Sequence, residues 1–131
     1  MRETLRYKWL WIALTLLVTA AALFELLRPN EEINPQGDGA QLMHLIGFGL
    51  LALWYCALVA RRTLGAVLAW LVIVGIGTEI AQHFMGLGRT GDVLDVVANV
   101  FGIAIGLGLS VTFVGRWPFW VERVLVIGDR K

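Results

Sequence analysis

Residues 66–114 read AVLAWLVIVGIGTEIAQHFM, then GLGRTG, then DVLDVVANVFGIAIGLGLSVTFV, with the breaks after residues 85 and 91. The first and third pieces are apolar over about 20 residues each, enough to carry a helix across roughly 30 Å of hydrocarbon. The glycine-rich piece between them is a turn signal. The stretch is therefore predicted as two membrane-spanning helices, Ala66 to Met85 and Asp92 to Val114, joined by a tight connection.

Two more apolar stretches precede it, Trp9 to Leu27 and Gln41 to Ala60. Between them, residues 28–40 carry Pro29, Pro35, Gly37 and Gly39 among polar residues and read as a loop. Arg61, Arg62 and Gly65 make the next connection very short. Pro118 sits between Trp117 and Trp120, and Val121 to Ile127 has the amphipathic look of an interfacial segment. The predicted fold is an all-α integral membrane protein in a single domain, residues 1–131. It has four transmembrane helices, short connections and a C-terminal interfacial segment.

The composition agrees. Of 131 residues, 58% are apolar and 16% charged, with a mean hydropathy of +0.73. A soluble domain of this size could not cover so much apolar surface with so little charge. A net charge of +1, with no basic run, argues against a nucleic-acid partner. Cys56 is the only cysteine, so no intrachain disulfide can form. Ala20-Ala21-Ala22 could serve as a signal-peptidase site. However, the first apolar stretch is long for a signal core and ends at Glu25 and Arg28, so it reads as a retained helix.

Lysine and arginine set the expected orientation. Arg2, Arg6 and Lys8 precede the first span, Arg61 and Arg62 follow the second, and Arg116, Arg123, Arg130 and Lys131 follow the fourth. The other two connections hold only Arg28 and Arg89, beside Glu31, Glu32, Asp38 and Asp92. The expectation is a multi-pass protein of the cytoplasmic (inner) membrane with both termini in the cytoplasm.

On that topology the polar residues of the spans gather at the outer end: Glu25, Gln41, His44, Thr78, Glu79, Gln82, His83, Asp92, Asp95 and Asn99. Ionisable groups inside a bilayer are costly, so each needs a partner or a purpose. Glu79, Gln82 and His83 fall at i, i+3 and i+4 on one helix face. Asp92, Asp95 and Asn99 fall at i, i+3 and i+7, and Gly102 and Gly106 extend the stripe as a GxxxG pattern. Arg89 could bridge two of the carboxylates. The candidate binding set is His44, Glu79, Gln82, Arg89, Asp92, Asp95 and Asn99, facing outward. Gly75, Gly77, Gly102, Gly106 and Gly108 read as packing residues that let the third and fourth helices approach.

The spaced set Glu79-x-x-Gln82, then Arg89, Asp92, Asp95, Asn99 and Gly102, resembles the VanZ-like membrane proteins over about residues 41–109. His44 at the head of the second helix fits the same pattern. Ala40 and Gln41 stand where that family often has Asp and Lys. The resemblance implies a four-helix bundle and, for some members, a role in glycopeptide (teicoplanin) resistance.

Three functions fit the residues. One is recognition of an envelope component: a lipid headgroup, a cell-wall precursor or a glycopeptide. The second is an enzyme acting on a lipid-linked or phosphate-bearing substrate at the outer leaflet. There Glu79 would move the proton, Asp95 would assist it, and Arg89 would clamp an anion. His44 or His83 could substitute as base. The third is a purely structural cluster that holds the helices together. No phosphate-cradling loop or zinc spacing appears, so no cofactor is expected, although Glu79, Asp92 and Asp95 could hold a divalent ion. A transporter fits poorly, because the inner half of the bundle lacks polar groups and no inverted repeat is present. The bilayer is the one certain partner, and a homo-oligomer is compatible with the sequence.

Overall fold

The structure is a computed structural model describing residues 5–27, 39–85 and 93–128, with side chains as far as residue 125 in the last segment. Every regular element among them is helical. Helix α1 is Lys8–Leu27, α2 is Gly39–Leu58, α3 is Leu64–Met85, α4 is Val93–Ser110 and α5 is Trp117–Gly128. Short 3-10 turns lead into α3 (Arg61–Thr63) and α5 (Phe113–Arg116). The first four helices are long and apolar enough to cross a membrane.

Their outer faces need lipid. Leu16 is 67% exposed, Ile73 62%, Phe84 82% and Phe101 61%, and these side chains would form large apolar patches in water. The packed interior is narrow. Leu26, Phe48, Leu51, Ala52, Leu71 and Ile103 form its centre.

The centre of the bundle is the crossing of α2 and α4, its most extensive helix–helix contact. A Cβ on Gly102 would overlap the Leu45 carbonyl oxygen, and one on Gly106 would overlap that of Gly49. Both obstacles are backbone, so only glycine allows this approach. The glycine stripe thus serves α2, not α3 as the sequence suggested. Gly77 and Gly108 face open space instead of a neighbouring helix.

The fourth span is also shorter than its apolar run. The Ser110 hydroxyl donates to Leu107 O and the Thr112 hydroxyl to Leu109 O, both at 2.7 Å. Thr112 N also donates to Leu109 O, at 3.1 Å, so backbone and hydroxyls together close the helix end. Thr112 Oγ1 then accepts from Val114 N and caps the next turn.

At this end α5 does more than lie at an interface. Its Glu122 is 7% exposed and reaches the start of α1. Oε1 accepts from Tyr7 N at 3.0 Å and from the Trp11 indole at 2.8 Å, and Oε2 accepts from Arg6 N at 3.0 Å. A remote carboxylate thereby satisfies N–H groups around a helix start and sits at the positive end of its dipole. Trp11, Trp54 and Trp117 stack beside it, with ring centroids 4.8 to 6.3 Å apart.

Candidate functional site

The up-and-down order of the helices brings the C-terminal ends of α1 and α3 beside the N-terminal ends of α2 and α4. Four of the expected site residues meet there. His44 comes from the second turn of α2, Glu79 from the last turns of α3, and Asp95 and Asn99 from the first turns of α4. All four are buried, His44 completely.

His44 is the hub. Its Nδ1 lies 3.0 Å from Asn99 Oδ1 and 3.4 Å from Glu79 Oε1, while Nε2 lies 3.8 Å from Asp95 Oδ2. With the proton on Nδ1, the ring donates to Asn99, and Nε2 accepts from Asp95 when that carboxyl carries a proton. One imidazole thus couples carboxylates on two different helices.

Asn99 is fixed from behind, since a Cβ on Gly75 would come within 3.1 Å of its Nδ2. Gly75 of α3 makes room for the amide. This is the one glycine of α3 that serves the contact with α4 predicted for the group.

The same residues have the donor set of a cation site. Ligand atoms of His44, Glu79 and Asp95 lie within 4.8 Å of one another. An imidazole with two carboxylates suits a transition-metal ion better than calcium or magnesium, which prefer oxygen alone. The trio differs from the sequence expectation, in which Asp92 stood where His44 does. Asp92 and Arg89 lie outside the described residues.

Gln82 plays a different part. Its Nε2 donates to Leu26 O at 2.6 Å, satisfying a carbonyl at the end of α1 where helical bonding stops. Thr78 is buried and bonds back to Gly75 O within its own helix. His83 shares a helix face with Glu79 by spacing, yet it is exposed and meets Phe84 edge-on. Glu25 is likewise exposed.

Sequence reading missed a groove beside the cluster. An open groove of about 290 Å³ runs between α3 and α4, with apolar walls from Ile76, Ile80, Phe84 and Val96. His83 lies along it, and Glu79 is the cluster residue it reaches. Because the surrounding faces are lipid-exposed helix surfaces, the groove opens toward the bilayer. The apolar residues at i, i+4 and i+8 of α3 (Ile76, Ile80, Phe84) were its only sequence signal.

No curated protein and no solved structure matches the chain. The family model described as VanZ/LLP1 matches residues 3–114. That span contains all four membrane helices and every residue of the buried cluster. The chain therefore belongs to the VanZ-like family of membrane proteins.

Proposed function

We propose that the chain recognises an amphipathic component of the cell envelope and thereby contributes to glycopeptide resistance. The polar head of the ligand engages Glu79, which relays the contact to His44 behind it, and its apolar part lies in the groove between α3 and α4. The observation that carries this reading is Glu79 itself, which belongs both to the buried cluster and to the lipid-facing groove. Helix packing alone is a weaker explanation. Interhelical polar bonds in membranes contribute about 0.6 kcal/mol on average, little return for burying two carboxylates. The positive-inside pattern supports an inner-membrane protein with this site outward.

The test is susceptibility to teicoplanin in a bacterial host carrying Glu79→Gln, His44→Ala or Asp95→Asn, with membrane expression measured alongside. Loss of protection at normal expression is expected for each. Unchanged protection in all three would refute the reading.

The spacing of His44, Glu79 and Asp95 favours a second reading, a membrane enzyme whose carboxylates act on a lipid-linked substrate around a bound ion. Metal analysis of the purified protein and lipid profiling of cells lacking it separate the two. Stoichiometric metal with an altered lipid profile would favour the enzyme.

A further inference from the structure

At the opposite end of the bundle, a second cavity of about 230 Å³ opens among the ends of α2 and α4, the start of α3 and the turn that leads into α5. Its walls include Arg61, Arg116, Ser110, Thr112 and Cys56. We infer that this cavity holds the phosphate of an anionic phospholipid, with Arg61 and Arg116 as its cationic clamp.

Four observations converge on it. First, both arginines line one cavity that has no carboxylate among its walls. The ion pairs among the described residues lie instead around His44. Guanidinium groups stay charged and offer forked donors that match phosphate oxygens. Second, the 25-residue helical run that starts at Arg61 begins at this cavity, which places the positive end of its dipole there. Third, the size fits: at roughly 30 Å³ per water-sized group, the cavity takes a phosphate and its neighbouring glycerol oxygens. Fourth, an apolar rim follows from Val111 in the wall and from Phe113, next in sequence to the wall residue Thr112. Val111 is 61% exposed, Phe113 71% and Trp120 47%, with Phe113 and Trp120 packed at a centroid distance of 6.0 Å. A free phosphate would gain nothing from that rim, whereas acyl chains would lie along it. Basic pockets between helices at a membrane face suit anionic headgroups of this kind.

The site is separate from the His44 cluster, so the two proposals stand or fall independently. The experiment is native mass spectrometry of the full chain in detergent, titrated with phosphatidylglycerol or phosphatidylcholine. Wild type is expected to retain phosphatidylglycerol in preference. Arg61→Gln and Arg116→Gln should each weaken that binding about fivefold, and the double variant about thirtyfold. Arg123→Gln, on α5 but outside the cavity, should bind as wild type does. Tryptophan-fluorescence melting checks the fold, and the two single variants keep the test open if the double variant unfolds. Equal retention of both lipids by wild type would overturn the inference, as would undiminished preference in the arginine variants. Inorganic phosphate displacing the lipid at comparable concentration would overturn the assignment to a phospholipid. Failure of a large phosphate excess to displace it supports that assignment.

Discussion

Replacing Glu122 by Gln tests whether α5 is a structural part of the bundle. The carboxylate accepts three hydrogen bonds, from Arg6 N, Tyr7 N and the Trp11 indole. Glutamine has one acceptor oxygen. Turned toward Tyr7 and Trp11, it sets its own NH₂ against the Arg6 N–H. Turned the other way, it sets the NH₂ against two donors. The better arrangement loses one bond and removes the charge from the other two. A bond to a charged group is worth about 1.5–3 kcal/mol and a neutral one about 0.5–1.5. Because Arg6 is exposed, water replaces part of the lost bond, and the expected net loss is about 2–3 kcal/mol.

The loss should depend on pH. Burial pushes the Glu122 carboxyl up, but the two backbone bonds, the indole and the Arg6 charge outweigh it and hold its pKa below the usual carboxylate value. A carboxyl whose folded pKa is depressed stabilises the fold above the unfolded pKa, about 4.3. That stability is lost as pH falls through the lower folded value. The wild-type advantage should therefore be full at pH 7 and shrink below about pH 4. SDS-driven unfolding followed by tryptophan fluorescence suits the measurement, since Trp11 touches both Glu122 and the Trp54–Trp117 stack. Other carboxylates titrate equally in both proteins and cancel in the difference. A Glu122→Gln protein within about 0.5 kcal/mol of wild type at pH 7 would refute the reasoning, and so would a difference that does not shrink on acidification.

Gly106→Val should destabilise the bundle by about 3 kcal/mol or more, since the new side chain meets the backbone of α2 and no rotamer relieves it. Gly108→Ala, two residues on and facing open space, should leave stability unchanged or raise it by up to about 1 kcal/mol; SDS unfolding of the pair compares them. Gln82→Leu removes the bond to Leu26 O and should cost about 1 kcal/mol. Faster amide exchange confined to the last turn of α1 would show that the lost contact is the one named.

The four spans were legible because each is a long apolar run, and a bilayer imposes its thickness on such runs. Most of the buried cluster was legible too, because charges in a span are rare enough that each one stands out. Helical spacing also worked for the stripe Asp95, Asn99, Gly102 and Gly106: all four are buried along one side of α4. What spacing could not supply was the partner. A stripe says which face is buried and not which helix covers it, and α3, the neighbour in sequence, was the wrong choice. Gly47-Phe48-Gly49 in α2, followed by Ala52, was the signal that a second close-packing surface existed. Glu122 was missed for a related reason. A carboxylate in an amphipathic segment looks like a solvated residue until the start of α1, more than a hundred positions away, is brought against it.

The glycines and the cluster are consequences of one arrangement. Contact of Gly102 with Leu45 and of Gly106 with Gly49 fixes how far α2 can slide along α4. The two helices run in the same direction, so stepping back from Leu45 to His44 and from Gly102 to Asn99 leads to the same end of the bundle. The 3.0 Å distance between His44 Nδ1 and Asn99 Oδ1 is thus set by backbone contacts within the next two turns of the helices. A side chain at position 102 would separate the helices there and move His44 away from Asn99 and Asp95 without touching any of them. The packing stripe and the candidate site therefore cannot be varied independently, and a change that leaves every polar residue in place can still dismantle the cluster.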